Sequence, residues 1–408
     1  MKCSRKFVIL CHERGQSQDE VPPGPAPPKK TSHTRMDTIT YPYDDFSRLE
    51  LSSSAFIGNY RYFRSLLDMR TKMLVLLKAN AYGHGSVQLG SMLQQAGANY
   101  FAVAYPVEGI ELRQSGISLP ILVLTAGTDH FPEIIQYGLE PGIPNLYSLG
   151  VLCEVLRSKG ITSFPVHIKI DSGMHRLGFM KGEIPDLCEF LLSHPEVRVQ
   201  SIYSHLAAAE DPTQDDFTLS QISLFQEMAG AITQSIGYKP MYHILNSAGI
   251  ERFSRFQFDM VRLGIGIYGI SALGDVKLRP VASLKCKVLQ IKSLHPEDGT
   301  IGYGRWGKIA PCGTQIATIP VGYADGIDRH LGRGRASFNL NGHRVKTIGN
   351  ICMDMCMLDA TGLDAKPGDT VTVFGQDPPI TELSTILDTI PYEILSSVPR
   401  RIRRVVTP

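Results

Sequence analysis

The sequence predicts an α/β fold: a (β/α)8 TIM-type barrel followed by a smaller all-β C-terminal domain. Three observations carry the prediction. Short apolar runs alternate with stretches of helical period from Asp44 to about Tyr268. The pattern turns to closely spaced β-rich runs after Ile270. The chain, at 408 residues, is also longer than one small domain needs. Residues 1–43 read as an extension, 44–274 as the barrel and 275–408 as the β domain.

The extension opens with Lys2, Arg5 and Lys6 before a short apolar patch at residues 7–10. His12, Glu13 and Arg14 end that patch below the length of a secretory leader, and no small-residue cleavage site follows. Asp19 and Glu20 argue against a transit peptide, and residues 21–28 form a proline-rich linker. A disordered extension is expected, or an upstream start codon with Met36 as the functional start.

The barrel strands are expected at residues 73–77, 100–104, 121–124, 165–170, 199–203, 242–245 and 259–264. An eighth, weakened by proline, is expected within 139–147. Helical stretches at 108–114, 184–192 and 219–236 lie between them. Eight such units in about 225 residues match a closed parallel barrel, and an open doubly wound sheet is the competitor. In a barrel, chemistry belongs at the C-terminal ends of strands. Beyond it, residues 281–293, 315–320, 344–348, 354–359 and 370–374 read as strands of the second domain. Asn341-Gly342 is a hairpin dipeptide, and Lys366-Pro367-Gly368-Asp369 is a turn.

Composition removes several classes of function. Lys+Arg number 41 against 39 Asp+Glu, a net charge of +2. That balance gives no footprint for nucleic acid or an anionic membrane surface. No apolar run reaches bilayer-spanning length. The 8 cysteines are scattered without the density of a disulfide framework. Cys352 and Cys356 have no second cysteine pair or histidine cluster to complete a zinc site, so no metal is expected. A soluble, cytosolic, two-domain globular protein remains.

The informative stretch is Leu74-Val75-Leu76-Leu77-Lys78-Ala79-Asn80-Ala81-Tyr82-Gly83-His84-Gly85. An apolar strand ends directly in a lysine, followed by a Tyr- and Gly-bearing turn. Partial desolvation lowers an amine's pKa toward the range where it is nucleophilic, which an imine-forming lysine needs. A lone strand-terminal lysine could equally reach solvent. The wider context decides between the two. Lys78-Ala-Asn-Ala-Tyr82-Gly-His-Gly recurs with Lys169-Ile-Asp-Ser-Gly-Met-His-Arg176, Ser204-His205, His243-Ile-Leu-Asn246-Ser247 and Asp259-Met-Val-Arg262-Leu-Gly264-Ile265. Ile301-Gly-Tyr303-Gly-Arg305, Val321-Gly-Tyr323 and Ile351-Cys352-Met353-Asp354 follow. In this order the strings resemble the alanine racemase family of pyridoxal-phosphate enzymes, from Leu49 to Arg404.

The resemblance implies roles. Lys78 looks like the lysine that holds pyridoxal 5′-phosphate covalently. Tyr82, Ser247, Gly264 and Ile265 look like its phosphate cradle, where small residues let amides approach an anion. Arg262 looks like the arginine facing the pyridine nitrogen, with His205 behind it; a cation there makes the ring a weaker electron sink. Read without the family, Arg262 in an apolar strand is equally a buried structural ion pair. Racemisation needs a base on each face of the Cα–H bond. Lys78 serves one face, and Tyr303 resembles the opposing base, supplied in the family by the partner subunit of a head-to-tail homodimer. Arg176 and the backbone near Met353 look like the substrate contacts, and Lys169 occupies a position often carbamylated. His243 is read as a satisfied structural histidine.

Two positions depart from the family pattern. Asn350 stands where arginine is common, and Arg400 stands where many members carry a tyrosine at the substrate entrance. Both bear on side-chain specificity rather than reaction type. The expected activity is interconversion of L- and D-alanine, supplying D-alanine for peptidoglycan. The alternatives are a racemase of serine, lysine or broader scope, a non-catalytic cofactor-binding barrel, and a decarboxylase. The last two are disfavoured by the Tyr303- and Asp354-bearing β domain and by the lack of decarboxylase signatures.

Overall fold

The computed structural model describes residues 46–271, 273–274 and 278–408. The expected extension, including Met36 and the proline-rich linker, lies outside these residues, as does the 274/275 boundary.

Eight parallel strands form the barrel: Lys72–Leu76, Tyr100–Val103, Ile121–Val123, Glu140–Ile143, Phe164–Lys169, Val197–Tyr203, Met241–His243 and Met260–Leu263. Met260–Leu263 pairs with Lys72–Leu76. The remaining seam is bridged by Asp259 N–H to Tyr242 O at 3.2 Å and Arg262 N–H to Leu245 O at 3.0 Å. The sheet is therefore a barrel, not a doubly wound sheet. Strands such as Met73-Leu74-Val75-Leu76 are buried along their whole length, which is why they read as unbroken apolar runs. The weak eighth strand is Glu140–Ile143, and its ladder to Ile121–Val123 is only two residue pairs long. The missing N–H of Pro141 therefore removes little. Helices cover the outside, the longest being Asp215–Ile236, ended by Gly237 at φ +77°.

The second domain is built on a nine-stranded sheet. Its order is Gln290–Leu294, Thr314–Ile319, Cys356–Asp359, His343–Ile348, Ser337–Leu340, Thr370–Phe374, Ala282–Lys287, Ser47–Ser52, Arg403–Thr407. Asn341 and Gly342, both at positive φ, make the hairpin between Ser337–Leu340 and His343–Ile348. Two short helices, Ile380–Ile386 and Pro391–Ser397, accompany the strands.

One boundary changes. Residues 47–52, expected in the barrel, join the C-terminal sheet, antiparallel to Ala282–Lys287 and parallel to Arg403–Thr407. The reason is period. Leu49 and Leu51 are buried while Arg48 and Glu50 are less so. That alternation suits a sheet with one wet face, not a barrel strand buried on both. The barrel is thus inserted after the first strand of the β domain.

Candidate active site

Lys78 sits where the first barrel strand ends, and the chain then turns the uncommon way. Ala79, Asn80, Ala81 and Tyr82 all have φ of +52° or +53°. Each such non-glycine residue costs about 1–2 kcal/mol, so the turn needs external support. Glu108 Oε1 accepts from Ala79 N–H at 2.5 Å, and Asn80 Oδ1 accepts from Ser86 N–H at 3.0 Å. Gly83 follows at φ +82°, where a Cβ would lie 2.0 Å from Leu395 O. From the last strand, Arg404 donates to Gly83 O through Nε at 2.9 Å and an η nitrogen at 2.7 Å. The lysine is thereby held at the barrel mouth by both domains.

Burial is the main cause that lowers the Lys78 pKa, the Arg176 charge adds to it, and Glu108 opposes. Lys169 is only 9% exposed; burial, then Arg176 and Arg262, pull its pKa down to about 8. Among the described residues Lys78, Lys169 and Arg176 form no ion pair. With Arg262 they make a mouth with surplus positive charge, opposed mainly by Asp171.

Opposite Lys78 lies a small-residue cradle. Ser247 Oγ accepts from Gly264 N–H at 2.9 Å and Gly266 N–H at 3.2 Å. A Cβ on Gly264 would sit 3.0 Å from Tyr82 Oη, so only glycine leaves that corner open. Burial raises the Tyr82 pKa, which keeps a neutral O–H donor there. Tyr82, Ser247, Gly264 and Ile265 are thus brought together, and Lys78 Nζ lies 5.9 Å from the Tyr82 ring.

Arg262 is buried at the other side. One η nitrogen donates to His243 Nδ1 at 2.9 Å and His243 O at 3.1 Å. The other donates to Ser204 O at 2.5 Å, Ile244 O at 3.0 Å and His205 Nδ1 at 3.2 Å. Nε–H alone has no partner among the described residues. Burial lowers the guanidinium pKa to about 10, so the group stays cationic at neutral pH. His243 is fully engaged, as expected of a structural histidine. His205 touches Arg262 as expected, and burial, with Arg262 adding, holds it far below its ordinary pKa.

Tyr303 and Met353 are not brought to this cluster. They lie on the second domain, 72% and 54% exposed, and no hydrogen bond or ring contact among the described residues links them to Lys78. Tyr303 is tethered through its carbonyl, which accepts from Asn350 Nδ2 at 2.7 Å; Asn350 Oδ1 accepts from Arg333 Nε at 2.7 Å. Arg400 makes a two-pronged ion pair with Glu111 at 2.9 and 2.7 Å. Sequence reasoning missed Glu108 and Arg404. Tyr105-Pro-Val-Glu108 is a helix-start pattern that could have flagged the first; nothing local marks the second.

Two family models cover nearly all of the described chain: "Alanine racemase, N-terminal domain" matches residues 51–272, and "Alanine racemase, C-terminal domain" matches 281–406. The alanine racemase of Synechocystis is 35% identical over 371 residues, 88% of this chain and 98% of the relative. The solved alanine racemase of Clostridium difficile superposes with a TM-score of 0.82 at 31% identity, covering 88% of this chain and 95% of that one. That of Bartonella henselae, described with covalently bound pyridoxal phosphate, gives 0.80 at 30% identity, with coverages of 89% and 99%.

Proposed function

The chain belongs to the alanine racemase family, and on that premise we propose that Lys78 and Tyr303 are the two bases with which it interconverts L- and D-alanine. The observation that carries the reading is the pairing, in one barrel mouth, of a lysine with lowered pKa and a buried arginine with one donor to spare.

The residues fit pyridoxal 5′-phosphate. The surplus positive charge suits a phosphate and a substrate carboxylate. Tyr82 O–H, Ser247 and the Gly264–Ile265 backbone would take the phosphate, and Arg262 Nε–H would face the ring nitrogen. Lys78 would hold the aldehyde carbon. When bound, the cofactor supplies the electron sink that acidifies the substrate Cα–H.

The chain's own groups do the rest. A lysine with lowered pKa spends part of its time as the free amine that nucleophilic attack and proton removal both require. Arg262 keeps its proton, so it would offer a ring nitrogen a hydrogen bond rather than a proton. Lys78 Nζ serves one face of Cα, and Tyr303 Oη serves the other. Within one chain Tyr303 is largely exposed and, among the described residues, makes no contact with Lys78, which supports a head-to-tail homodimer in which Tyr303 of a second copy serves the second face. Arg176 and the backbone at Met353 hold the substrate side. At Lys169, the lowered pKa leaves some free amine at neutral pH, the form that adds CO2 with loss of a proton to give a carbamate beside Arg176.

D-Alanine made in the cytoplasm would feed peptidoglycan. Asn350 and the Arg400–Glu111 pair leave room for a second reading, a racemase of serine, lysine or broader scope. Incubation with L-alanine, L-serine and L-lysine separately, followed by optical rotation, ranks them; loss of rotation fastest with serine or lysine would replace alanine as the substrate. For the lysine, borohydride reduction of the yellow holoprotein should fix a pyridoxyl group on the peptide carrying Lys78. Attachment at Lys169 instead would sink the assignment.

A further inference from the structure

Five consecutive barrel strands each place one polar side chain in the interior, and the five touch in sequence. Arg262 donates to His243 Nδ1 at 2.9 Å. His243 Nε2 lies 2.8 Å from Ser201 Oγ. Ser201 Oγ lies 2.6 Å from His167 Nδ1, and His167 Nε2 lies 2.7 Å from Glu140 Oε2. Tyr100 O–H donates to the same Glu140 oxygen at 3.0 Å, and Gln200 Nε2 donates to Tyr100 Oη at 3.2 Å. His167, Ser201 and His243 have no measurable exposure. The His243 ring is fixed by stacking on Tyr203, 5.1 Å away at 6°.

The first proton is fixed by the first member, and the relay assigns the others in the same direction. A guanidinium has donors and no acceptor, so His243 Nδ1 must accept and its single proton sits on Nε2. Nε2–H then donates to Ser201 Oγ. Ser201 has one proton to pass on, and it goes to His167 Nδ1. His167 therefore carries its proton on Nε2 and donates to Glu140. The relay runs one way, from the buried Arg262 cation to a carboxylate on the strand four places back.

We propose that Glu140 is a positioning residue for Arg262: as the end acceptor of this one-way relay it holds His167, Ser201 and His243 in line, and so aims the guanidinium whose Nε–H is left for the cofactor. Successive hydrogen bonds polarise one another in a low-dielectric interior, so the carboxylate also strengthens His243 as an acceptor and draws charge from Arg262. The proposal rests on the reading of Arg262 as the group facing the ring nitrogen.

The test separates the two. Nitrogen-15 NMR of histidine-labelled, cofactor-free protein reads the tautomers without reference to catalysis. His243 and His167 should both be neutral with protons on Nε2. A proton on Nδ1 of either, or a doubly protonated His167 paired with Glu140, overturns the relay. Glu140→Gln keeps an acceptor for His167 but not the charge; Glu140→Leu removes both. His243, set by Arg262, should keep its proton on Nε2 in both, whereas His167 should keep its own in the first and lose it in the second. The pyridoxal-phosphate Kd should rise a few-fold in the first and about tenfold in the second, the loss of roughly one buried hydrogen bond, with a shifted cofactor absorption band. If both variants lose thermal stability while Kd and band stay at wild-type values, Glu140 is structural and the proposal fails. Wild-type protein that does not bind the cofactor at all would instead sink the reading beneath it.

Discussion

Arg262 and His84 show how burial at a single residue becomes measurable. Arg262 faces the proposed ring position as a permanent cation; replacing it with glutamate supplies a group that can share a proton with the ring nitrogen and deepens the electron sink. Arg262→Glu should racemise alanine slower by at least about a hundredfold, on the scale of removing one preorganised electrostatic group. It should also show a new long-wavelength absorption band during turnover. Stopped-flow spectra with L-alanine check this, and normal turnover without a new band would make Arg262 merely structural. His84 is buried, its Nδ1 donates to Tyr82 O at 2.8 Å, and its Nε2 has no partner among the described residues. Burial holds its pKa down at about 4. Between about 4 and 6.5 the unfolded chain binds a proton that the folded chain refuses, so stability falls as pH drops through that window. The loss is about 3 kcal/mol at most. His84→Phe should flatten the slope of urea stability against pH there, whatever it does to the level at pH 7.

Much of the site was legible at this scale because its residues come in short strings: Lys78 with Tyr82, Ser247 with Asn246, Arg262 with Gly264. Glu140, His167 and Ser201 of the relay were not. Each is an isolated polar residue in its own strand, and only barrel closure makes them neighbours. Arg404 was invisible for the same reason.

The element that matters most for Lys78 is the left-handed turn behind it. Its four unfavourable residues are stable only while Gly83 closes them, and a methyl group there would run into Leu395 O as well as strain the backbone at φ +82°. Gly83→Ala should destabilise the fold by about 3 kcal/mol or more and weaken cofactor binding. Denaturant titration and cofactor spectroscopy check both; a stable, fully loaded variant would mean the turn adapts. Elements were readable to the degree that their burial was uniform. Barrel strands buried on both faces read as apolar runs. Ser47–Ser52, buried on one face, has only two inward leucines and was absorbed into the barrel, while Pro141 and Gly142 nearly hid Glu140–Ile143. The hairpin at Asn341-Gly342 was legible because its positive φ values demand those residues.

For the whole molecule, the exposed Tyr303 and the half-buried Lys78 turn the proposed subunit pairing into arithmetic. Lys78→Ala and Tyr303→Phe homodimers should each be nearly inactive, since each lacks one of the two proposed bases. Unfolded together and refolded, about half the dimers are mixed, and each mixed dimer holds one site with both lesions and one with none. About a quarter of wild-type activity should return. If Tyr303 served its own chain, every site in a mixed dimer would carry one lesion, activity would stay at the parents' level, and the shared site would have to be abandoned.

The seating of Ser47–Ser52 between Ala282–Lys287 and Arg403–Thr407 also sets an order of events during synthesis. All eight barrel strands are made in one uninterrupted stretch, so the ribosome can release a barrel while the larger sheet still lacks its partners. The first strand must wait, one edge uncovered, until the last emerges. That last strand brings Arg404, which grips Gly83 O and the carbonyls of Val398, Pro399 and Ile402. A nascent chain halted before Arg404 would hold a folded barrel whose lysine rides on an unlocked turn. Competence therefore arrives with the strand that carries Arg404, and a chain halted before that strand cannot compete for cofactor on equal terms with one that has it.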